Sequence, residues 1–272
     1  MNLPTGAFGP RVIVVANQKG GVGKTTTAIN LGTALAAVGQ KVLIIDLDPQ
    51  GNASTGLGIS RKSRDRSSHD VLTGGLGLAE AALPTAVPNL SVVPSTLDLL
   101  GFEQTMATAR DRVYKLRAAV RAYREASAGA GFGYMLIDCP PSLNLLTINA
   151  MAAADSVLVP LQCEFFALEG LSQLLETVEH VRDTLNPSLT IHGIVLTMFD
   201  RRNNLSGQVV ADVRAFMGSQ VYQTVIPRNV RVSEAPSFGK PALLYDLNCA
   251  GSQAYLQLAK EVISRERVLS AA

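Results

Sequence analysis

The amino-acid sequence predicts a doubly wound α/β fold, a mostly parallel sheet with helices on both faces. Three observations carry that prediction. Short β-branched apolar runs alternate with longer stretches of helical period along the chain. The runs are apolar almost throughout instead of alternating, as befits strands covered on both faces. The first run passes straight into a glycine-rich turn and then a helix, the strand–turn–helix unit from which such sheets are wound.

Composition sets the limits. The chain has 272 residues, of which 47% are hydrophobic, enough to bury a sizeable core. A single domain over 11–266 is expected, between a flexible N-terminus at 1–10 and a flexible C-terminus at 267–272. No apolar run approaches the roughly 20 residues of a membrane span. The nearest, Met151–Leu161, is too short and contains Asp155. Met1–Pro10 lacks the charged start and apolar block of a secretory leader. Cys139, Cys163 and Cys249 show no metal-ligand spacing and fit a reducing cytoplasm. The formal net charge is only +2, unevenly spread. Arg61–Arg66 is basic, Arg110–Arg124 sets six basic residues against Asp111, and Arg201, Arg202, Arg214, Arg228 and Arg231 form a third group. Charge runs are commonly solvated faces, but three on one chain keep nucleic acid open as a partner.

The elements follow in order. Val12–Ala16 opens the sheet, and the helix Lys24–Val38 follows its glycine turn. Val42–Asp46 and Leu90–Val93 are the next strands. Between them Ser60–Leu83 is the least regular stretch and is expected to be a surface excursion. Arg110–Ala126 reads as a helix, Tyr134–Asp138 as a strand stopped by Pro140 and Pro141, and Leu145–Ala154 as a helix. The strand Val157–Pro160, the helix Leu168–Leu185, the strand Ile191–Thr197, the helix Gly207–Met217 and the strand Val221–Ile226 continue the alternation. The last helix, Gln253–Arg265, lines Tyr255, Leu258, Ala259, Val262 and Ile263 on one stripe. Docking on the core explains that stripe. A membrane-surface helix would favour Lys and Arg on its polar face, whereas Lys260, Glu261, Arg265, Glu266 and Arg267 are mixed in sign. His69, His180 and His192 do not cluster and are not read as ligands.

The chemistry concentrates in Lys19-Gly20-Gly21-Val22-Gly23-Lys24-Thr25-Thr26, between the first strand and its helix. Glycines let backbone N–H groups approach phosphates, and the helix dipole adds positive potential. Lys24 can reach the β- and γ-phosphates of ATP, and the Thr25 hydroxyl can ligate Mg²⁺. The strict pattern G-x-x-x-x-G-K-[ST] is not met, because its first glycine falls on Gln18. A dinucleotide fingerprint is the rival reading: Gly21 and Gly23 supply two of its glycines, but Thr26 stands at the third. Asp46 and Asp48 close the second strand, and ligands of open parallel sheets sit beyond such carboxyl ends. Asp138 ends an apolar run, the arrangement that holds a nucleotide's metal directly or through water. Lys19 is a second cation that could neutralise charge as a γ-phosphate leaves. On local sequence alone Pro227-Arg228-Asn229 is a turn.

The loop from Lys19 to Thr25 is similar to the deviant Walker A motif of the ParA/MinD ATPases. The resemblance continues in Asp46-Leu47-Asp48-Pro49-Gln50-Gly51-Asn52, in Leu136-Ile137-Asp138-Cys139-Pro140-Pro141-Ser142 and in 226–237, which begins Ile226-Pro227-Arg228-Asn229. It covers nearly the whole chain from Arg11 and points to the chromosomal, Soj-type ParA partition ATPases. The resemblance implies that Asp48 positions the attacking water, that Asp46 supports Mg²⁺ or the loop, and that Pro227 and Asn229 contact the base. It implies an ATP-dependent homodimer in which Lys19 reaches the partner's nucleotide. It further implies that Arg202 and Arg231 bind double-stranded DNA without sequence preference. Hydrolysis would be stimulated by a ParB-type centromere-binding protein, in a cytoplasmic, nucleoid-associated cycle. Three alternatives share the fold. A small-molecule P-loop ligase or kinase would need a substrate-binding insert. An iron protein of the nitrogenase type would need cluster-bridging cysteines, and Cys139 and Cys163 are not in matching contexts. A MinD-like membrane switch is opposed by the mixed-sign C-terminal helix.

Overall fold

The computed structural model describes residues 9–127 and 131–271. The flexible termini expected at 1–10 and 267–272 therefore lie partly outside the described residues, at 1–8 and 272. β1 (Arg11–Val15) leads through the glycine turn into α1 (Lys24–Ala37) and β2 (Val42–Asp46). Then come α2 (Asn52–Gly56), α3 (Ser68–Thr73), α4 (Leu78–Ala81), β3 (Leu83–Pro84), β4 (Leu90–Val93) and α5 (Phe102–Thr105). The middle of the chain supplies α6 (Lys115–Ser127), β5 (Tyr134–Asp138), α7 (Leu145–Ala153), β6 (Ser156–Gln162) and α8 (Ala167–Thr184). β7 (Thr190–Phe199), α9 (Asn204–Met217), β8 (Val221–Pro227), α10 (Val230–Glu234), α11 (Ala242–Tyr245) and α12 (Ala250–Ala271) complete it.

The strands form one eight-stranded sheet in the order β3-β4-β2-β5-β1-β6-β7-β8. Every pairing is parallel except β3 with β4. The two-residue β3, carrying Pro84, has no counterpart in the sequence reading; too short for a periodic signal, it is a proline-bearing edge strand. The doubly wound prediction is otherwise met. Alternation along β1 divides the core: Val12 and Val14 join one buried cluster, Ile13 and Val15 the other. The first contains α3, α4 and α6–α9 residues, and the second α1, α2, α11 and α12 residues.

Two expectations are corrected. Ser60–Leu83 is not a mere surface excursion, because Val71, Leu72, Leu78 and Ala81 are buried in the core. Its helices are too short for a periodicity test. A local start signal exists, since Ser67 N and Oγ both donate to Asp70 Oδ2 at 2.8 Å and cap α3. The helix read as Arg110–Ala126 begins only at Lys115, where its buried positions Leu116 and Val120 come into play.

Two basic runs turn out to be internally engaged. Lys115 pairs with Asp111, Arg121 with Glu125 and Arg124 with Asp155. Arg117 Nη1 donates to Leu185 O at 3.1 Å, and Arg66 Nη1 to Glu80 O at 3.0 Å. Arg64 is buried. Arg64, Arg66, Arg117 and Arg124 tie separate elements together, whereas the Lys115 and Arg121 pairs are local to α6 and the turn before it.

At the far end of the sheet, β8 is sealed by α12. Glu261 accepts from the backbone N–H groups of Gln223 and Thr224, both at 2.8 Å. Arg265 donates to the carbonyls of Ser219, Gln220 and Val221 at 3.0–3.1 Å. The stripe Tyr255, Leu258, Ala259 and Val262 is fully buried, so it belongs to the core. No described helix is long and apolar enough to cross a membrane. Leu258→Ala should destabilise the chain by about 2–5 kcal/mol, read as a lower midpoint with unchanged slope in urea unfolding.

Candidate nucleotide-binding site

Register builds the site. Asp46 pairs across to Asp138 between β2 and β5, and Val15 pairs to Asp138 between β1 and β5. The carboxyl ends of three adjacent strands thus place two carboxylates beside the start of the glycine loop. Gly21 and Gly23 hold φ of 76° and 91°, left-handed values that glycine adopts without strain. Gly23 is the N-cap of α1, which has no side-chain cap and no acid in its first turn, the state an anion would complete. Val22 is buried, and its carbonyl accepts from Thr197 Oγ1 at 2.8 Å, pinning the loop to β7.

A cleft of about 600 Å³ opens over the loop, lined by Gly20, Gly21, Gly23, Lys24, Thr25 and Thr26 with Asp48, Pro140, Asn144 and Met198. Lys24 is buried and donates from Nζ to Lys19 O at 2.8 Å. Burial pulls its pKa down, while Asp138, Cys139 and Asp48 oppose that. Lys19 is absent from the cleft lining, and its ammonium pairs with Glu164, just past β6.

The acids differ sharply. Asp46 is fully buried and engaged on both oxygens: Oδ2 accepts from Ser54 N at 2.8 Å and Ser54 Oγ at 2.6 Å, and Oδ1 from Asp48 N at 3.2 Å. Burial raises its pKa to about 6 against the pull of those bonds. Asp138 is equally buried, yet neither carboxylate oxygen has a hydrogen-bond partner among the described residues. Burial, reinforced by Asp46, lifts its pKa well above the usual carboxylate range, and the nearby Thr25 hydroxyl opposes the rise without reaching hydrogen-bond geometry. Asp48 Oδ1 accepts from Gln50 N at 3.0 Å. Among the described residues no three His, Cys, Asp or Glu side chains form a metal cage. Mg²⁺ that keeps waters and phosphate ligands needs none. The orphaned Asp138 oxygens beside Thr25 fit a hydrated cation, whereas Asp46 already accepts three hydrogen bonds from the chain. The Cys139 thiol is buried and its pKa is raised, first by burial and then by Asp138, so it is no nucleophile.

Other candidates fall outside this cleft. Pro227 lines a second cleft of about 900 Å³ with Phe199, Arg201, Arg202, Arg228 and α12. Asn229 caps α10, accepting from Val232 N at 3.3 Å, and lines neither cleft. Arg202 is exposed and forks onto Asp200 at 2.9–3.0 Å. Arg231 lies on α10, paired with Glu234 at 3.2 Å and Asp246 at 3.7 Å. Sequence reading missed Glu164 and Met198. The first had a usable signal, an acid just beyond a carboxyl end; the second had none, its φ of 53° appearing only in the backbone.

Fold and cleft define a P-loop ATPase in which one lysine serves its own loop and a second points away. A family model described as an AAA domain matches residues 10–191. The chromosome partitioning protein ParA of Caulobacter vibrioides is 65% identical over 257 residues, covering 94% of this chain and 95% of that protein. The sporulation initiation inhibitor protein Soj of Bacillus subtilis is 50% identical, covering 93% and 98%. A solved structure of cobyrinic acid a,c-diamide synthase from Mycobacterium smegmatis, with an ATP analogue and magnesium, matches with TM-score 0.81 and 36% identity over 93% of this chain and 94% of that one. The chain belongs to the ParA/Soj family of partitioning ATPases.

Asp138→Asn should raise the melting temperature without ligand by about 2–4 °C per kcal/mol relieved, because a carboxylate with a raised pKa destabilises at neutral pH. The same variant should lose the Mg²⁺-dependent gain in ATP affinity. Thermal scans and titrations with and without Mg²⁺ check both.

Proposed function

We propose that this chain is an ATP-driven partitioning switch for a chromosome or plasmid, working in the cytoplasm on the nucleoid. Residues 11–266 act as one ATPase domain. The ATP-bound form is a sandwich homodimer that binds double-stranded DNA without sequence preference, and hydrolysis stimulated by a ParB-type centromere-binding protein releases it. The observation that carries this reading is the divergence of the two loop lysines. Lys24 turns into the cleft, whereas Lys19, half-exposed, is held outside it by Glu164. A cation kept outside its own nucleotide cleft suits service to a second copy.

Within the site, Gly20–Thr26 hold the phosphates, Thr25 and Asp138 hold Mg²⁺, the latter through water, and Asp46 anchors the loop. Mg²⁺, when bound, would neutralise the charge developing on the transferred phosphoryl group. Asp48 orients the attacking water, with Lys24 and the partner's copy of the Lys19 position stabilising charge. Pro227 and Asn229 face the base side. Arg202 and Arg231 contact DNA phosphates; both arginines are exposed and their present partners are half-buried carboxylates, and ion pairs at the surface are worth little, so phosphate can displace them.

One observation favours a second reading, a small-molecule P-loop enzyme: the solved structure at 36% identity is a cobyrinic acid a,c-diamide synthase. The relatives at 65% and 50% identity carry the partitioning and Soj names instead. A MinD-like membrane switch lacks support, because the α12 stripe is already used in the core. ATP turnover that requires a metabolite and ignores DNA and a centromere-binding protein would favour the enzyme.

Two outcomes are expected. Lys19→Gln should leave ATP binding intact while abolishing the dimer formed with a non-hydrolysable analogue, as read by light scattering, and lowering hydrolysis. Charge reversal at Arg202 or Arg231 should abolish DNA binding and spare ATP binding. Wild-type affinity should fall log-linearly with salt at a slope of about −0.9 per phosphate contacted.

A further inference from the structure

Asp48 sits in a brace that the family resemblance does not assign. Its backbone carbonyl accepts from Ser95 Oγ at 2.6 Å and from Gly51 N at 2.8 Å. Ser95, just beyond β4, is fully buried and held twice more. Its N–H donates to Ser54 Oγ at 3.0 Å, and its carbonyl accepts from Arg64 Nη1 at 2.9 Å. Arg64 then reaches the other end of the Asp48–Gly51 turn, donating from Nη2 to Gly51 O at 3.3 Å and to Thr55 Oγ1 at 2.8 Å. Both ends of the turn that carries Asp48 are therefore tied to one guanidinium, directly at Gly51 and through Ser95 at Asp48.

The arrangement is costly. Arg64 is buried, and no carboxylate is hydrogen-bonded to it among the described residues; backbone carbonyls and one hydroxyl take its donors. Burial lowers its pKa, with Asp46 the opposing charge. Gly51, at φ 65°, leaves the guanidinium its place, since a Cβ there would lie 2.0 Å from Nη1. A planar fork can span two carbonyls at a fixed separation, whereas an ammonium cannot. The chain thus commits a buried charge, a left-handed glycine and a buried serine to fixing one four-residue turn, and that turn lines the nucleotide cleft with Asp48, its one ionisable residue, beside Pro49 and Gln50.

We propose that Ser95 and Arg64 are positioning residues for hydrolysis, holding the Asp48 carboxylate where it orients the attacking water. This rests on the reading of Asp48 given above. Misplacement by about 1 Å can cost on the order of a hundredfold in rate, so losing one of the ties on the Asp48 carbonyl should cost about tenfold.

The test uses the full chain with saturating Mg²⁺–ATP and measures phosphate release and the affinity for a non-hydrolysable analogue. Ser95→Ala removes one hydroxyl and should lower kcat about tenfold while leaving analogue affinity and KM within about twofold, the split expected of a group acting only on the chemical step. Arg64→Lys should fall in the same direction; if it fails to fold, Ser95→Ala carries the test alone. Asp48→Asn should lose turnover, and adding Ser95→Ala to it should cost nothing more, because residues acting through one group are not additive. Wild-type kcat in Ser95→Ala, a change confined to KM, or a double variant that loses a further tenfold overturns the brace while leaving Asp48 in its role. Wild-type turnover by Asp48→Asn overturns the role of Asp48, and the brace with it.

Discussion

Two carboxylates buried side by side at the ends of neighbouring strands are the constraint around which the rest of the structure is arranged. Parallel pairing of β2 with β5 sets Asp46 opposite Asp138, and neither has solvent to relieve it. The chain resolves the first with three donors from Ser54 and Asp48. It leaves the second without a hydrogen-bond partner among the described residues, with Lys24 as a nearby cation. An unpaired buried carboxylate is expensive in the free chain. A cation arriving with a nucleotide would relieve that cost, so the two strands that build the sheet also create a place that favours positive charge.

The loop answers the same constraint from the other side. Gly21 and Gly23 adopt left-handed backbone, the N-terminal helix end is left without a side-chain cap, and Thr197 fastens the loop to β7. The result is a rigid anion cradle whose walls come from several elements. Lys19 lies at its margin, occupied by Glu164. A charge held by a half-exposed partner can be transferred to a better one, whereas Lys24, bonded within the loop and buried, stays local. The two lysines differ in placement because five residues of chain separate a position in the cleft from one at its margin.

Most of this was legible in the sequence, for identifiable reasons. Strands buried on both faces announce themselves as apolar runs, and seven of them were found to within one or two residues at each end. The loop and the three aspartates were found because strand ends and glycine turns have fixed consequences. What escaped were features created by distance along the chain. Arg64 belongs to a basic run and reads as solvated charge, but it closes on Ser95, thirty-one residues away. Glu164 has meaning only beside Lys19. Ser60–Leu83 reads as loop because its helices are shorter than the window in which helical period can be measured. Pro227 and Asn229 were assigned by resemblance, and the structure keeps them out of the phosphate cleft.

The sealed edge of the sheet bears on how copies of this protein can associate. At one margin Glu261 and Arg265 occupy the peptide groups that another strand would seek. At the other, β3 is two residues long and ends in proline. Both borders thus disfavour recruiting a neighbour by continuing the ladder of backbone bonds. Contacts between copies would therefore fall to side chains instead of an extended sheet, and side-chain contacts can be made and broken without disturbing the core.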